Sequence, residues 1–287
     1  MPETTTPAKT TAPVRMLEGS ARPLFRTTLR QILFAKKTPL LALVLLIPAA
    51  VTLILFPYLD DGRYETFSGD QDTVVVTDEN AGRLWFEDST VVIYLGILVP
   101  LVSAFYATGL IGDEVANKTL PYIFIRPVRR WSVLLSKFTA FYVGTLTLTA
   151  GGLIITFFLA LSATQNPFTS LDTLFVGLGV VALAVLANGA LFALMGVGLR
   201  FPLVFAVVYF LLWENIFGAF PAQIKRFTLI FYERSMVMNA GGRGDLVGDV
   251  NAGLAVETWA AVLILAGVGI LLVAASALVV SLKDYNV

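Results

Sequence analysis

Residues 112–137 read GDEVANKTLPYIFIRPVRRWSVLLSK, placing seven charges and two prolines between two strongly apolar stretches. The residues able to grip a partner stand in a definite order: Glu114, Thr119, Leu120, Pro127, Val128, Arg130 and Lys137. Their chemistry is that of ion pairs and a stiff turn, not of making or breaking bonds. Residues 119–125 are mostly apolar and suit a short helix lying along a membrane, with Pro121 in its first turn and Pro127 ending it. Arg129 and Arg130 then face lipid phosphates or a protein partner, and Trp131 suits a membrane interface. A second candidate is Glu214, the one acid well inside an apolar run, flanked by Trp213 and Asn215. An ionisable group at bilayer depth is a functional candidate by default, in gating or substrate contact. The plainer reading pairs it with Asn188 or a threonine of a neighbouring span for packing alone.

Ordinary enzyme chemistry has little to work with. The chain has no cysteine and no histidine, which excludes disulfides, thiolate or imidazole metal ligands, cysteine nucleophiles and a Ser-His-Asp triad. No Gly-x4-Gly-Lys-Ser/Thr sequence is present, so the chain does not bind ATP through a P-loop. The GGRG at residues 241–244 lacks the Lys-Ser/Thr ending and reads as a flexible linker. No catalytic residue, resident metal or cofactor is expected, and nothing points to nucleic acid.

The elements that must position these residues are membrane helices. Of 287 residues, 57% are hydrophobic and 14% charged, against about a quarter charged in a soluble domain. A helical span needs about 20 mostly apolar residues. Six stretches qualify, at about 40–58, 90–111, 133–161, 171–199, 203–220 and 258–282. Only Arg200, Phe201 and Pro202 separate the fourth from the fifth, which predicts a tight hairpin. The connections are then residues 59–89, 112–132 and 221–257.

Charge sets the orientation. With the N-terminus in the cytoplasm, 14 of the 20 Lys and Arg residues fall on the cytoplasmic side. Residues 59–89, then external, hold nine Asp and Glu against two Arg. Both termini are accordingly expected in the cytoplasm. Residues 1–16 are Thr/Pro/Ala-rich and read as a disordered tail, not a secretory signal. Residues 17–37 place Leu24, Phe25, Leu29, Ile32, Leu33 and Phe34 among Arg26, Arg30, Gln31, Lys36 and Lys37. This is a basic amphipathic helix expected to lie on the anionic inner leaflet. Val74–Val76 reads as a short strand, and the first part of 221–257 as a short amphipathic or re-entrant element. Gly144, Gly151, Gly152, Gly177, Gly189, Gly196 and Gly267 read as helix-packing positions. No internal repeat with matched broken helices is evident, which argues against an inverted-repeat secondary transporter.

The order Glu114, Thr119-Leu120, Pro127-Val128, Arg130, Lys137 resembles the hallmark of the type-2 ABC transporter permease family. That pattern runs Glu, Gly-Thr-Leu, Pro-Val-x-Arg, then a Lys opening the third span. The chain departs from it at Lys118, where the family has Gly, and at Arg129, where Ser is commoner. The resemblance extends over roughly residue 17 to the C-terminus. It implies an all-α integral membrane protein with six spans, an N-terminal elbow helix and a coupling helix between spans two and three. It implies that this chain pairs with a second permease subunit and with separate ATPase subunits that bind ATP and Mg. The coupling residues, Glu114 through Lys137, would dock on that ATPase, with Glu114 meeting a basic group of the partner or of the elbow. Closure of the ATPase would then rearrange spans one, two and five. Export across the plasma membrane is the family expectation. An ATP-independent channel, a secondary transporter, and a membrane-embedded enzyme or scaffold are the alternatives.

Overall fold

The computed structural model describes residues 21–34, 38–60, 81–116, 130–162, 167–214, 226–241 and 256–282, and these are helical almost throughout. The helices are α1 (Ala21–Phe34), α2 (Thr38–Leu45), α3 (Ile47–Asp60), α4 (Ala81–Ser89), α5 (Val99–Ala107), α6 (Gly109–Ala116), α7 (Arg130–Ser162), α8 (Leu171–Gly198), α9 (Pro202–Val208), α10 (Leu229–Gly241) and α11 (Thr258–Leu282). Two π-helical stretches join the series. Thr90–Leu98 links α4 to α5, and Tyr209–Glu214 extends α9.

Among the described residues, four continuous helices are long and apolar enough to cross a membrane: Ala81–Gly112, Arg130–Ser162, Pro167–Gly198 and Thr258–Leu282. The chain is a multi-pass membrane protein. The expected first span lies in the bent pair Pro23–Phe34 and Thr38–Ile54, whose axes differ by 63°. Where the fifth span is expected from residue 203, the described apolar helix is Pro202–Leu212, too short to cross by itself. Residues 215–220 lie outside the described residues.

Burial distinguishes the spans. The apolar windows of Ala81–Gly112 and Pro167–Gly198 are each 67% buried inside the protein, whereas that of Thr258–Leu282 is 17% buried. The last helix is apolar all round and turns most of that surface outward, as a lipid-facing helix does. Helix α8 is the centre of the bundle and packs against α5, α6, α7, α10 and α11. Small residues permit this. A Cβ on Gly196 would lie 2.6 Å from the Thr108 carbonyl oxygen, and one on Gly152 of α7 would lie 2.9 Å from the Leu45 carbonyl oxygen. Gly144 and Gly189 also pack closely and Gly177 is in ordinary contact, whereas Gly151 and Gly267 face open space.

Three expectations need adjustment. First, residues 81–89, assigned to a loop, form α4. Its charges misled the hydropathy reading: Arg83 pairs with Glu87 at 2.8 Å one turn apart, while Leu84 and Phe86 are buried. Second, the connection expected at 112–132 is shortened at both ends, since α6 runs to Ala116 and α7 starts at Arg130. Third, the amphipathic helix predicted at 17–37 is α1, Ala21–Phe34, and it packs along α7. Ile32 and Thr28 are buried there, and Arg26, Arg30 and Gln31 are exposed as expected. The tail at 1–16 and the strand at 74–76 lie outside the described residues.

The π-helical start of the second span has a local cause. The Phe86 carbonyl accepts the hydroxyls of Ser89 at 3.0 Å and Thr90 at 2.7 Å, side-chain bonds that compete with the backbone ladder. Pro100, just beyond, has no N–H to give to Gly96. Between these points the wider turn persists, and Val99 N–H bonds to the Tyr94 carbonyl, five residues back. The α2–α3 break is similar. Pro48 interrupts the ladder, and the Leu45 carbonyl accepts the Tyr94 hydroxyl at 3.2 Å.

Candidate functional site

The described residues among those singled out by sequence lie at two places in the bundle. The first is the end from which residues 117–129 emerge. Helix α6 leads into that segment and α7 receives it. Their adjoining ends are mounted on a separate buried cluster of Ile111, Leu134, Val197 and Val280, one residue each from α6, α7, α8 and α11. Lys137 is only 7% exposed, and its Nζ donates a 2.9 Å hydrogen bond to the Leu110 carbonyl of α6. A buried lysine requires such partners, because an ammonium group stripped of water is costly. Leu110 stands one helical turn before Glu114. Gly112 lies against α9, where a Cβ would meet Pro202 Cγ at 3.3 Å. The two stems of the segment are thus tied to each other and to the helices behind them.

Arg130 is the first residue of α7 and is partly exposed. Glu114 lies in the last turn and a half of α6, where the backbone is described and the side chain is not. Thr119, Leu120, Pro127 and Val128 lie outside the described residues. The chemistry available at this end is mechanical: two helix ends with fixed relative positions can transmit a push on the segment between them.

The second place is the middle of α8. Asn188 is 2% exposed, and its Nδ2 donates to the Ala184 carbonyl at 3.0 Å and to Glu233 Oε1 at 3.1 Å. Both amide hydrogens of Asn188 are thereby committed, one of them to Glu233. Glu214 closes the π-helical Tyr209–Glu214, and its side chain is not described. Phe210 of that stretch lies against the Asn188–Glu233 pair, as do Leu95, Pro100 and Ile230.

Glu233 escaped the sequence reading because it lies in a polar-looking stretch with Arg226 and Arg234 nearby. A signal was present nonetheless. Ile230, Glu233 and Val237 share one face of a helix otherwise built from Phe231, Met236 and Met238, and all of these are buried. Among the described residues, no three acidic groups converge to hold a metal ion.

The model of the ABC-2 family transporter protein matches residues 35–212, more than half of the chain, including the whole of 112–137. No curated protein and no solved structure matches. The protein belongs to the ABC-2 transporter family.

Proposed function

We propose that this chain is the transmembrane permease subunit of an ATP-driven ABC exporter of the plasma membrane. It makes six spans with both termini in the cytoplasm. It pairs with a second permease subunit and with separate ATPase subunits that hold ATP and Mg. It carries no catalytic residue of its own. The observation that carries this reading is the tie between Lys137 and the Leu110 carbonyl, which fixes the stems of residues 117–129 across α6 and α7. Family membership supports a transport role. The segment is too short for a catalytic domain, and a charged handle on rigid stems suits docking to a motor.

In this reading, Thr119, Leu120, Pro127 and Val128 shape the coupling turn, and Glu114 and Arg130 grip the ATPase. Glu114→Gln and Arg130→Gln are the test, read in the assembled complex. Both variants insert normally, and ATP hydrolysis no longer responds to substrate. Normal substrate-stimulated hydrolysis in both would contradict the coupling role.

A further inference from the structure

Where α4 meets the first turns of α8, four oxygen-bearing side chains line one small cavity. Glu87 and Thr90 come from one side, Asp172 and Thr173 from the other. Phe86, Val176 and, from α10, Val237 make apolar walls, and none of the lining residues is basic. The cavity holds about 30 Å³, room for a small ion or about two water molecules.

The oxygens of this cavity are poorly matched by the protein itself. Glu87 is buried, its side chain only 6% exposed, and Arg83 Nε donates to its Oε1 at 2.8 Å. No other described group hydrogen-bonds this carboxylate, so Oε2 keeps its lone pairs for the cavity. Thr90 is 1% exposed and gives its hydroxyl hydrogen to the Phe86 carbonyl at 2.7 Å, so it presents only lone pairs. The Thr173 hydroxyl oxygen is buried and has no hydrogen-bond partner among the described residues. A helical threonine can return that hydrogen to the carbonyl one turn back, as Thr90 does, and a buried hydroxyl left unmatched is costly. Asp172, in the first turn of α8, is exposed and marks the mouth.

Water alone fits this surround badly. A water molecule needs donors as well as acceptors, and the lining side chains offer one donor, the Thr173 hydroxyl, against acceptors on all four. A cation takes lone pairs from each of them. Carboxylate and hydroxyl oxygens are hard donors and suit hard ions. Charge sets the valence. Arg83 offsets Glu87, which leaves the one negative charge of Asp172 for the ligand to balance. A divalent ion would carry surplus charge into a largely apolar surround.

We propose that Glu87, Thr90, Asp172 and Thr173 form a binding site for one alkali cation, sodium or potassium, which clamps α4 to the start of α8. The ion is a structural ligand of the resting protein. The site requires neither an ATPase nor a direction of transport, so it goes beyond the function proposed above and stands apart from it.

The test is thermal unfolding of the purified full chain in mild detergent, in sodium, potassium or choline chloride at equal ionic strength. Choline is too large for the cavity. The wild-type chain melts higher in sodium or potassium than in choline, and the rise saturates with alkali-ion concentration. Thr173→Val keeps the shape and removes the oxygen, and it weakens the apparent affinity about tenfold, the effect of one lost contact to a charged group. In choline the same variant melts no lower than wild type, since the hydroxyl it removes has no protein partner. Thr173→Ser keeps the oxygen and the response. Asp172→Asn removes the net charge and loses most of the response. Equal melting of the wild-type chain in all three salts overturns the site and leaves ordinary water in the cavity. So does an unchanged alkali-ion response in Thr173→Val, or a lower melting point of that variant in choline, which marks a packing role. Stabilisation by calcium or magnesium but by neither alkali ion contradicts the charge count and overturns it too. Failure of an ATPase to co-purify leaves these melting points as stated.

Discussion

Lys137 reaches back across the bundle end to the Leu110 carbonyl, 2.9 Å away, and so joins the helix entering the charged segment to the helix leaving it. Its position 27 residues from Leu110 in sequence makes this the closure of a long loop. Replacing Lys137 with Met keeps most of the buried stem and removes the donor. We expect a loss of about 1–2 kcal/mol in stability, since hydrogen bonds from charged groups exceed neutral ones. Thermal unfolding in detergent measures this. In the assembled transporter the same variant weakens the response of ATP hydrolysis to substrate, because the two stems then move separately.

Close helix approach at Gly196 gives a prediction with an internal control. In Gly196→Ala the new methyl carbon would lie 2.6 Å from the Thr108 carbonyl oxygen, so α8 and the α5–α6 junction must part. The expected cost is about 1–3 kcal/mol. Gly151→Ala meets nothing within 4 Å and gains helix propensity, so it is neutral or stabilises by up to about 1 kcal/mol. Paired melting curves distinguish the two.

Tyr94 holds the α2–α3 junction. Its hydroxyl donates to the Leu45 carbonyl at 3.2 Å and lies 3.0 Å from Thr156 Oγ1. Thr156 keeps its own bond to the Gly152 carbonyl, but a carbonyl beside the Pro48 break loses its buried partner. Tyr94→Phe is therefore expected to destabilise the protein by about 1 kcal/mol, again read by thermal unfolding. A change much smaller than this means the Leu45 carbonyl finds another donor.

How much of this was legible in the sequence follows from which forces hydropathy reports. Helices α7, α8 and α11 are long and nearly uncharged, and their existence and approximate ends follow from composition alone. The break before α9 follows from Pro202, and Leu199 is indeed extended there, with φ −101° and ψ 155°. Helix α4 was hidden because Arg83, Glu87 and Asp88 lower the average, although Arg83 and Glu87 neutralise each other within one helix. The π-helical stretches have no periodicity signal. Around Thr90–Leu98 the hydroxyls of Ser89 and Thr90 and the missing N–H of Pro100 act on the backbone. Asn188 stood out as a polar residue in an apolar span, but its partner lies 45 residues away in a stretch whose charges suggested solvent. Distant pairings of this kind are set by tertiary packing, which one sequence does not display.

We propose that a separate ATPase drives this chain through residues 112–137. Affinity purification of the tagged full chain from its own membranes in mild detergent, followed by ATP-dependent transport in proteoliposomes, tests it most directly. The expected result is that an ATP-hydrolysing subunit with P-loop motifs co-purifies, that transport requires ATP, and that replacing residues 119–130 with a Gly/Ser linker of equal length releases that subunit. A chain that purifies alone and transports its substrate without ATP would contradict it.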